Sequence, residues 1–175
     1  MADFKAGTVI EGKYRLEQKL GEGGIGTVWS ANQELVQRKV AVKFLKGVSP
    51  ALKQRFLVEA QALGKLNHPN CITIHDFGYS DDLDVLYLVM EFLEGETLRE
   101  WSEGRGSIPF GDLIAISKQI ATAFAYAHHQ GVYHRDIKPD NVFLARGFTG
   151  ELFVKVLDFG MARMGEQTDP DARLT

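Results

Sequence analysis

Tyr133-His134-Arg135-Asp136-Ile137-Lys138-Pro139-Asp140-Asn141 is the stretch on which the reading of this chain turns. Asp136 is an acid, Lys138 a cation two residues on and Asn141 an amide, three side chains suited to phosphate chemistry. Pro139 disfavours helix at Lys138 and has no N–H to give to a ladder, so the stretch reads as a loop held in one shape. Apolar Val132 precedes it and Val142-Phe143-Leu144 follows. A second acid, Asp158, comes later, in Leu157-Asp158-Phe159-Gly160.

Upstream, Tyr14-Arg15-Leu16-Glu17-Gln18-Lys19-Leu20 alternates as a strand does and feeds Gly21-Glu22-Gly23-Gly24-Ile25-Gly26-Thr27-Val28. Three readings of this G-x-G-x-x-G compete. A dinucleotide-binding turn should open a helix, but Thr27-Val28-Trp29-Ser30 is β-branched and aromatic. A Walker loop needs Lys and Ser/Thr after its last glycine, and Gly26 is followed by Thr27 with no lysine. The third is a glycine-rich hairpin, either merely flexible or able to bring its backbone close to a ligand. Lys43 ends the next strand, Val40-Ala41-Val42-Lys43. Ser49-Pro50 then reads as an N-cap with proline at the first helical position, and Leu52, Phe56, Leu63 and Leu66 repeat at helical spacing. Glu59 falls on that apolar stripe, where a carboxylate is costly to bury unless a cation meets it or it reaches solvent at the stripe's edge.

Cys71–Phe77 and Val85–Phe92 are two apolar runs around Tyr79-Ser80-Asp81-Asp82, a hairpin whose second arm leaves through Met90-Glu91-Phe92-Leu93. Thr97-Leu98-Arg99-Glu100 has the capping-box pattern of a short helix. The longest helix is expected over Phe110–Gln130, with Gly131 ending it. Leu113, Ile116, Ile120, Phe124 and Ala127 form its main stripe, widened by Ile114, Ala115, Ala121, Ala123, Ala125 and Tyr126 until most faces are apolar. Such a helix expects burial on most faces. His128 and His129 are adjacent and point to different faces, with no ligand cluster beside them, so a metal reading has no support. Val142–Ala145 and Leu152–Leu157 read as a hairpin around 146–150 that returns Asp158 to the loop at Asp136. The tail, Met161–Thr175, carries no packing signal.

His134-Arg135-Asp136 with Asn141, then Asp158-Phe159-Gly160, and a glycine-rich turn far upstream together resemble the protein kinase family. The resemblance runs from about Tyr14 to the last residue. Its wording (His68-Pro69-Asn70; Asp136-Ile137-Lys138-Pro139-Asp140-Asn141) looks most like bacterial members of the eukaryotic-like Ser/Thr kinases. It implies an α+β, two-lobe fold. Residues 1–92 would form the N-lobe, a five-stranded antiparallel sheet with one main helix, and 93–175 an incomplete C-lobe. ATP would be the phosphoryl donor, Mg²⁺ the metal and a protein Ser/Thr hydroxyl the acceptor.

By that resemblance Gly21, Gly23 and Gly26 would cover the triphosphate, and Lys43, held by Glu59, would grip its α- and β-phosphates. Val28, Ala41 and Leu144 would sandwich the adenine, and the backbone of Glu91 and Leu93 would pair with its edge beyond Met90. Glu96 is the candidate for the ribose. Asp136 would accept the hydroxyl proton, Lys138 would reach the transferred phosphate, and Asn141 and Asp158 would ligate Mg²⁺. Phe159, His134, Leu63 and Ile74 would stack between the lobes. Arg135 resembles the arginine that meets an activation-segment phosphate, for which Thr168 and Thr175 are candidates. In the family an Ala-Pro-Glu motif and several helices follow; the sequence ends before them. Two functions therefore stand: an active Ser/Thr kinase, or a catalytically impaired remnant that binds nucleotide or a partner. A small-molecule phosphotransferase of related fold fits Lys138-Pro139 less well.

Composition sets the outer bounds. The 175 residues are 45% hydrophobic and 25% charged, suited to a globular core. A net charge of −3 gives no electrostatic case for nucleic acid or a membrane surface. One cysteine, Cys71, cannot form an intrachain disulfide, and no apolar run approaches the ~20 residues of a membrane span. A soluble, cytoplasmic protein is expected.

Overall fold

The computed structural model describes residues 4–23, 26–45, 49–105, 107–146 and 152–159. In chain order the first lobe holds β1 (Val9–Ile10), β2 (Tyr14–Glu22), β3 (Gly26–Gln33), β4 (Arg38–Leu45), α1 (Pro50–Leu63), β5 (Ile74–Ser80) and β6 (Val85–Glu91). The second holds β7 (Gly95–Thr97), α2 (Leu98–Glu103), α3 (Phe110–His129), a 3-10 turn at Pro139–Asn141, β8 (Val142–Arg146) and β9 (Leu152–Val156).

Alternation sorts the first sheet into two faces. In β4, Val40, Val42 and Phe44 join Val85, Tyr87 and Val89 of β6 in one apolar layer with Tyr14, Leu16, Trp29 and Ala31. The opposite parity turns Leu45, Leu86 and Leu88 toward Phe56, Ala60 and Leu63 of α1, and Ala41 and Met90 toward Ile72. Lys43 shares the parity of Ala41 and Leu45 and is only 6% exposed. The same rule that buries its neighbours thus carries an ammonium into the space between the lobes.

The sheet is antiparallel in the order β1-β2-β3-β4-β6-β5 and has six strands where five were expected. The sixth is β1, whose Val9 and Ile10 pair with Arg15 and Tyr14 of β2. Two residues are too few for a period of two to show. The α1 helix begins at Pro50, as the Ser49-Pro50 pattern implies. A capping box opens α2: Thr97 Oγ1 accepts from Glu100 N at 3.2 Å and Glu100 Oε2 accepts from Thr97 N at 2.8 Å.

In the second lobe the expected β8–β9 hairpin is present, its connecting loop lying outside the described residues, and β7 adds a third strand on β8. A Cβ at Gly95 (φ 150°) would sit 2.2 Å from Leu144 O, so only glycine lets β7 approach this closely. Gly131, at φ 72°, follows α3 as expected of a C-terminal glycine. The packed stripe of α3 is narrower than its sequence suggests. Ile116, Ala123 and Ala127 are buried, whereas Leu113, assigned to the main stripe, stays 44% exposed beside Phe110 at 75% and Ile114 at 52%.

The lobes are joined by hydrogen bonds around β9. Val156 N donates to Asn70 O at 2.8 Å and Ile72 N to Val156 O at 3.0 Å. From α3, Gln119 Oε1 accepts from Val154 N at 2.9 Å and from Asn70 Nδ2 at 3.0 Å. One amide thereby ties helix, strand and first lobe together. Among the described residues no helix is long and apolar enough to cross a membrane.

Candidate active site

A cleft of about 550 Å³ separates the lobes. Leu20, Gly21, Glu22, Gly23, Gly26 and Val28 line it from the glycine-rich hairpin, Ala41, Lys43 and Met90 from the sheet at its back wall, and Glu91, Phe92 and Leu93 from the segment linking the lobes. Phe143, Leu157, Asp158, Lys138 and Asp140 form the floor. Of the residues the sequence singles out, Gly21, Gly23, Gly26, Val28, Ala41, Lys43, Glu91, Leu93, Lys138 and Asp158 therefore meet at one surface.

The glycines differ in what demands them. A Cβ on Gly26 would lie 1.8 Å from Phe44 O, so the β3–β4 ladder itself requires glycine there. Nothing stands within 4 Å of a Cβ on Gly21 or Gly23. Packing in the fold does not require glycine at those two. Gly23 N donates to Gly26 O at 2.9 Å, closing the tip of the hairpin, whose residues Gly24 and Ile25 lie outside the described set. The hairpin reading of the glycine-rich stretch is the one the structure shows: β3 and not a helix follows Gly26.

Lys43 Nζ donates to both carboxylate oxygens of Asp158 at 2.7 Å each. This corrects the expected Lys43–Glu59 pair. Glu59 instead lines a separate depression of about 170 Å³ with Ala62, Leu63, Gly131, Val132, Tyr133 and Arg135. A buried ammonium needs an anion, and the carboxylate at the end of β9 is the one that reaches it. Asp158 holds a left-handed backbone, φ 55°.

The loop at Asp136 is organised from two sides. Lys138 Nζ donates to Asp136 Oδ2 at 2.6 Å, and Asn141 Nδ2 donates to the same oxygen at 3.1 Å and to Asp136 O at 2.8 Å. The Lys138 hydrogen bond, aided by Asn141, holds the Asp136 carboxyl below the usual carboxylate range. Asn141 O accepts from Leu157 N at 2.8 Å, which sets Asn141 beside the Asp158 segment. The Asn141 side-chain nitrogen is committed to Asp136. His134 bridges the two segments: Nε2 donates to Leu157 O at 2.7 Å, and Nδ1 accepts from Asp136 N at 3.3 Å. Its ring lies 4.9 Å from that of Phe159, and Leu63, Ile74 and Phe159 line one small cavity above it. The expected stack between the lobes is thus assembled from these four residues.

Burial pushes the His134 imidazole below its ordinary value against the pull of Asp158 and Asp136, and burial with Arg38 does the same for His75. A histidine depressed in the fold takes its proton more readily when unfolded, so stability falls as pH drops through about 6.5. The depressed acids Asp136, Asp140 and Glu100 keep their contribution until pH falls below about 4. Urea midpoints should therefore decline between pH 7.5 and 5.5, and less steeply in His134→Gln.

Two assignments fail on strand parity or pairing. Leu144 is buried with Val142 among Phe56, Leu63 and Phe159, away from the cleft. Phe143, one residue earlier and so on the other face, lines the cleft with Leu157. Glu96 pairs with Arg105 at 3.5 Å and is absent from the cleft lining, where Thr97 stands. Only the register with β9 separates Phe143 from Leu144. The bidentate contact of Arg99 with Asp140, at 2.7 and 2.9 Å, was not foreseen and ties α2 to the loop. His128 stacks with Phe124 and lies against Tyr133. Gly160, Thr168 and Thr175 lie outside the described residues.

Residues 14–174 match the model of the protein kinase domain family. The chain belongs to that family. It is 37% identical over 176 residues to serine/threonine-protein kinase pkn3 of Myxococcus xanthus, covering 99% of this chain and 32% of that protein. It is 37% identical over 159 residues to serine/threonine-protein kinase PrkC of Bacillus subtilis, covering 89% of this chain and 24% of that one. Among solved structures, the PknI kinase domain of Mycobacterium tuberculosis superposes with TM-score 0.76 at 27% identity, covering 90% of this chain and 63% of that one. Rad53 residues 1-466, solved in complex with AMP-PNP, gives TM-score 0.73 at 31% identity over 85% of this chain and 38% of that one. The chain thus spans about a third or less of the length of these curated relatives. Like them it carries protein kinase domain sequence, with an antiparallel first-lobe sheet.

Proposed function

We propose that this kinase domain binds ATP with Mg²⁺ in the cleft and moves the γ-phosphoryl group to Ser/Thr hydroxyls of cytoplasmic proteins. One observation carries the reading: Lys43, Asp158 and Lys138 face the same cleft, with Asp136 and Asn141 hydrogen-bonded directly behind them. The donor set fits the metal. Among the described residues no three His, Cys, Asp or Glu gather around a point, but Asp158 and Asn141 offer two hard oxygens, and Mg²⁺ ordinarily takes the rest from phosphates and water. Bound there, Mg²⁺ supplies charge neutralisation on the phosphate oxygens. Gly21 and Gly23 leave room for backbone to approach those oxygens, and Lys43 presents its ammonium from the back wall. Val28, Ala41, Leu93, Leu157 and Phe143 offer apolar surface to the base, and Glu91 and Leu93 their backbone. Asp136, ionised at neutral pH, is placed to take the hydroxyl proton, with Lys138 beside it for the phosphoryl group. No contact with nucleic acid or lipid is part of this reading.

A second reading has its own support. Lys43 is occupied by Asp158 and Glu59 lies elsewhere, an arrangement in which the chain holds nucleotide or a partner without transfer. Incubation with γ-labelled ATP, Mg²⁺ and a mixed protein acceptor separates the two. Label on Ser and Thr, lost with chelator and absent from Tyr, is the expected result. Nucleotide binding with no label on any acceptor would leave the binding module.

A further inference from the structure

The strand that delivers Asp158 also carries a lysine that the chemistry above does not use. Lys155 is 9% exposed and sits on β9 opposite Phe143 of β8, hence on the cleft-side face rather than with core residues Val154 and Val156. Its Nζ donates to Glu91 Oε1 at 2.6 Å and to Cys71 O at 3.4 Å, and lies 5.8 Å from the Phe153 ring centre. The same Glu91 oxygen accepts from Thr73 N at 2.8 Å, while Glu91 N donates to Thr73 O at 3.0 Å. Glu91 is therefore held at backbone and side chain together, and its side chain is 23% exposed. A lysine this deeply placed is costly unless paired, and this pair joins the second lobe to the segment linking the lobes.

Glu91, Phe92 and Leu93 line the cleft where the two lobes are linked. Two independent tethers on Glu91 leave that segment little freedom, and a purine edge is read by where its backbone donors and acceptors stand. A carbonyl from this segment suits an exocyclic amine and repels a ring carbonyl, so position here converts directly into base selection. We propose that Lys155 is a positioning residue for base recognition, acting through Glu91 to fix the Glu91–Leu93 backbone against the nucleotide. The proposal rests on nucleotide binding in the cleft. It touches neither the phosphates nor the metal, so its signature is a change of base preference rather than a general loss.

Mg-ATP and Mg-GTP binding to the chain, measured by calorimetry, tests it. In Lys155→Met the dissociation constant for ATP should rise about tenfold while that for GTP changes little, and Lys155→Arg should restore the original ratio. A purely structural lysine would weaken both nucleotides together, and an unchanged ATP-to-GTP ratio in Lys155→Met overturns the proposal. Should Lys155→Met fail to melt cooperatively, Glu91→Gln keeps an oxygen for Thr73 but loses the charge that Lys155 meets. There a ratio reduced by about threefold is expected, and an unchanged ratio again overturns it. Absence of any nucleotide binding by the unmodified chain would sink the functional reading itself, and this proposal with it.

Discussion

Replacing Lys43 with methionine should abolish the thermal stabilisation that Mg-ATP confers. Methionine matches the length of the lysine stem and fits the apolar surroundings that the parity of β4 provides, so the strand itself should survive. What disappears is the ammonium on the back wall and its two contacts with Asp158. A ligand present at a hundred times its dissociation constant stabilises a fold by ~2.7 kcal/mol. For a domain of this size that is roughly 5–10 °C in melting temperature. The unmodified chain should show a shift of that order, and Lys43→Met none outside error. The same shift in both would remove Lys43 from the phosphates.

The second large effect belongs to Asp136. Asparagine in its place keeps the shape and one acceptor oxygen for Lys138 and Asn141, but cannot take a proton. Transfer to a Ser/Thr acceptor should fall by ~10²–10⁴, the range for loss of a general base. ATP affinity should hold within about twofold, because Asp136 stands behind the cleft lining rather than in it. Paired measurement of turnover and nucleotide affinity is decisive: a parallel loss of both would make Asp136 a structural acid and not a base.

These residues were legible because their chemistry restricts them. An acid, a lysine and an amide spaced around Pro139 leave few readings, and Lys43 ends a run whose alternation is visible. Leu144 shows where such reading stops. In a strand buried on one side and ligand-facing on the other, both faces are apolar, so Phe143 and Leu144 look alike until the register with β9 is known. Glu59 shows a different boundary. Its place on the α1 stripe is local, but which anion meets Lys43 depends on how α1 and the end of β9 sit, and Asp158 takes that role. Gln119 and Lys155 had no local mark at all. Each meets partners more than thirty residues away, through hydrogen bonds that exist only once α3, β9 and the 70–73 segment are in place. The extra strands failed for want of length: two residues in β1 and three in β7 are too few to display a period.

Asp158 stands in the left-handed region, where a side chain costs ~1–2 kcal/mol that glycine would not incur. The backbone there is bent to aim a carboxylate, and selection for stability alone would favour straightening it. Evolutionary drift toward a sturdier protein and retention of the proposed metal-binding role thus pull this single peptide in opposite directions. On the proposed function, a lineage that stopped using the cleft would be free to relax the torsion at Asp158.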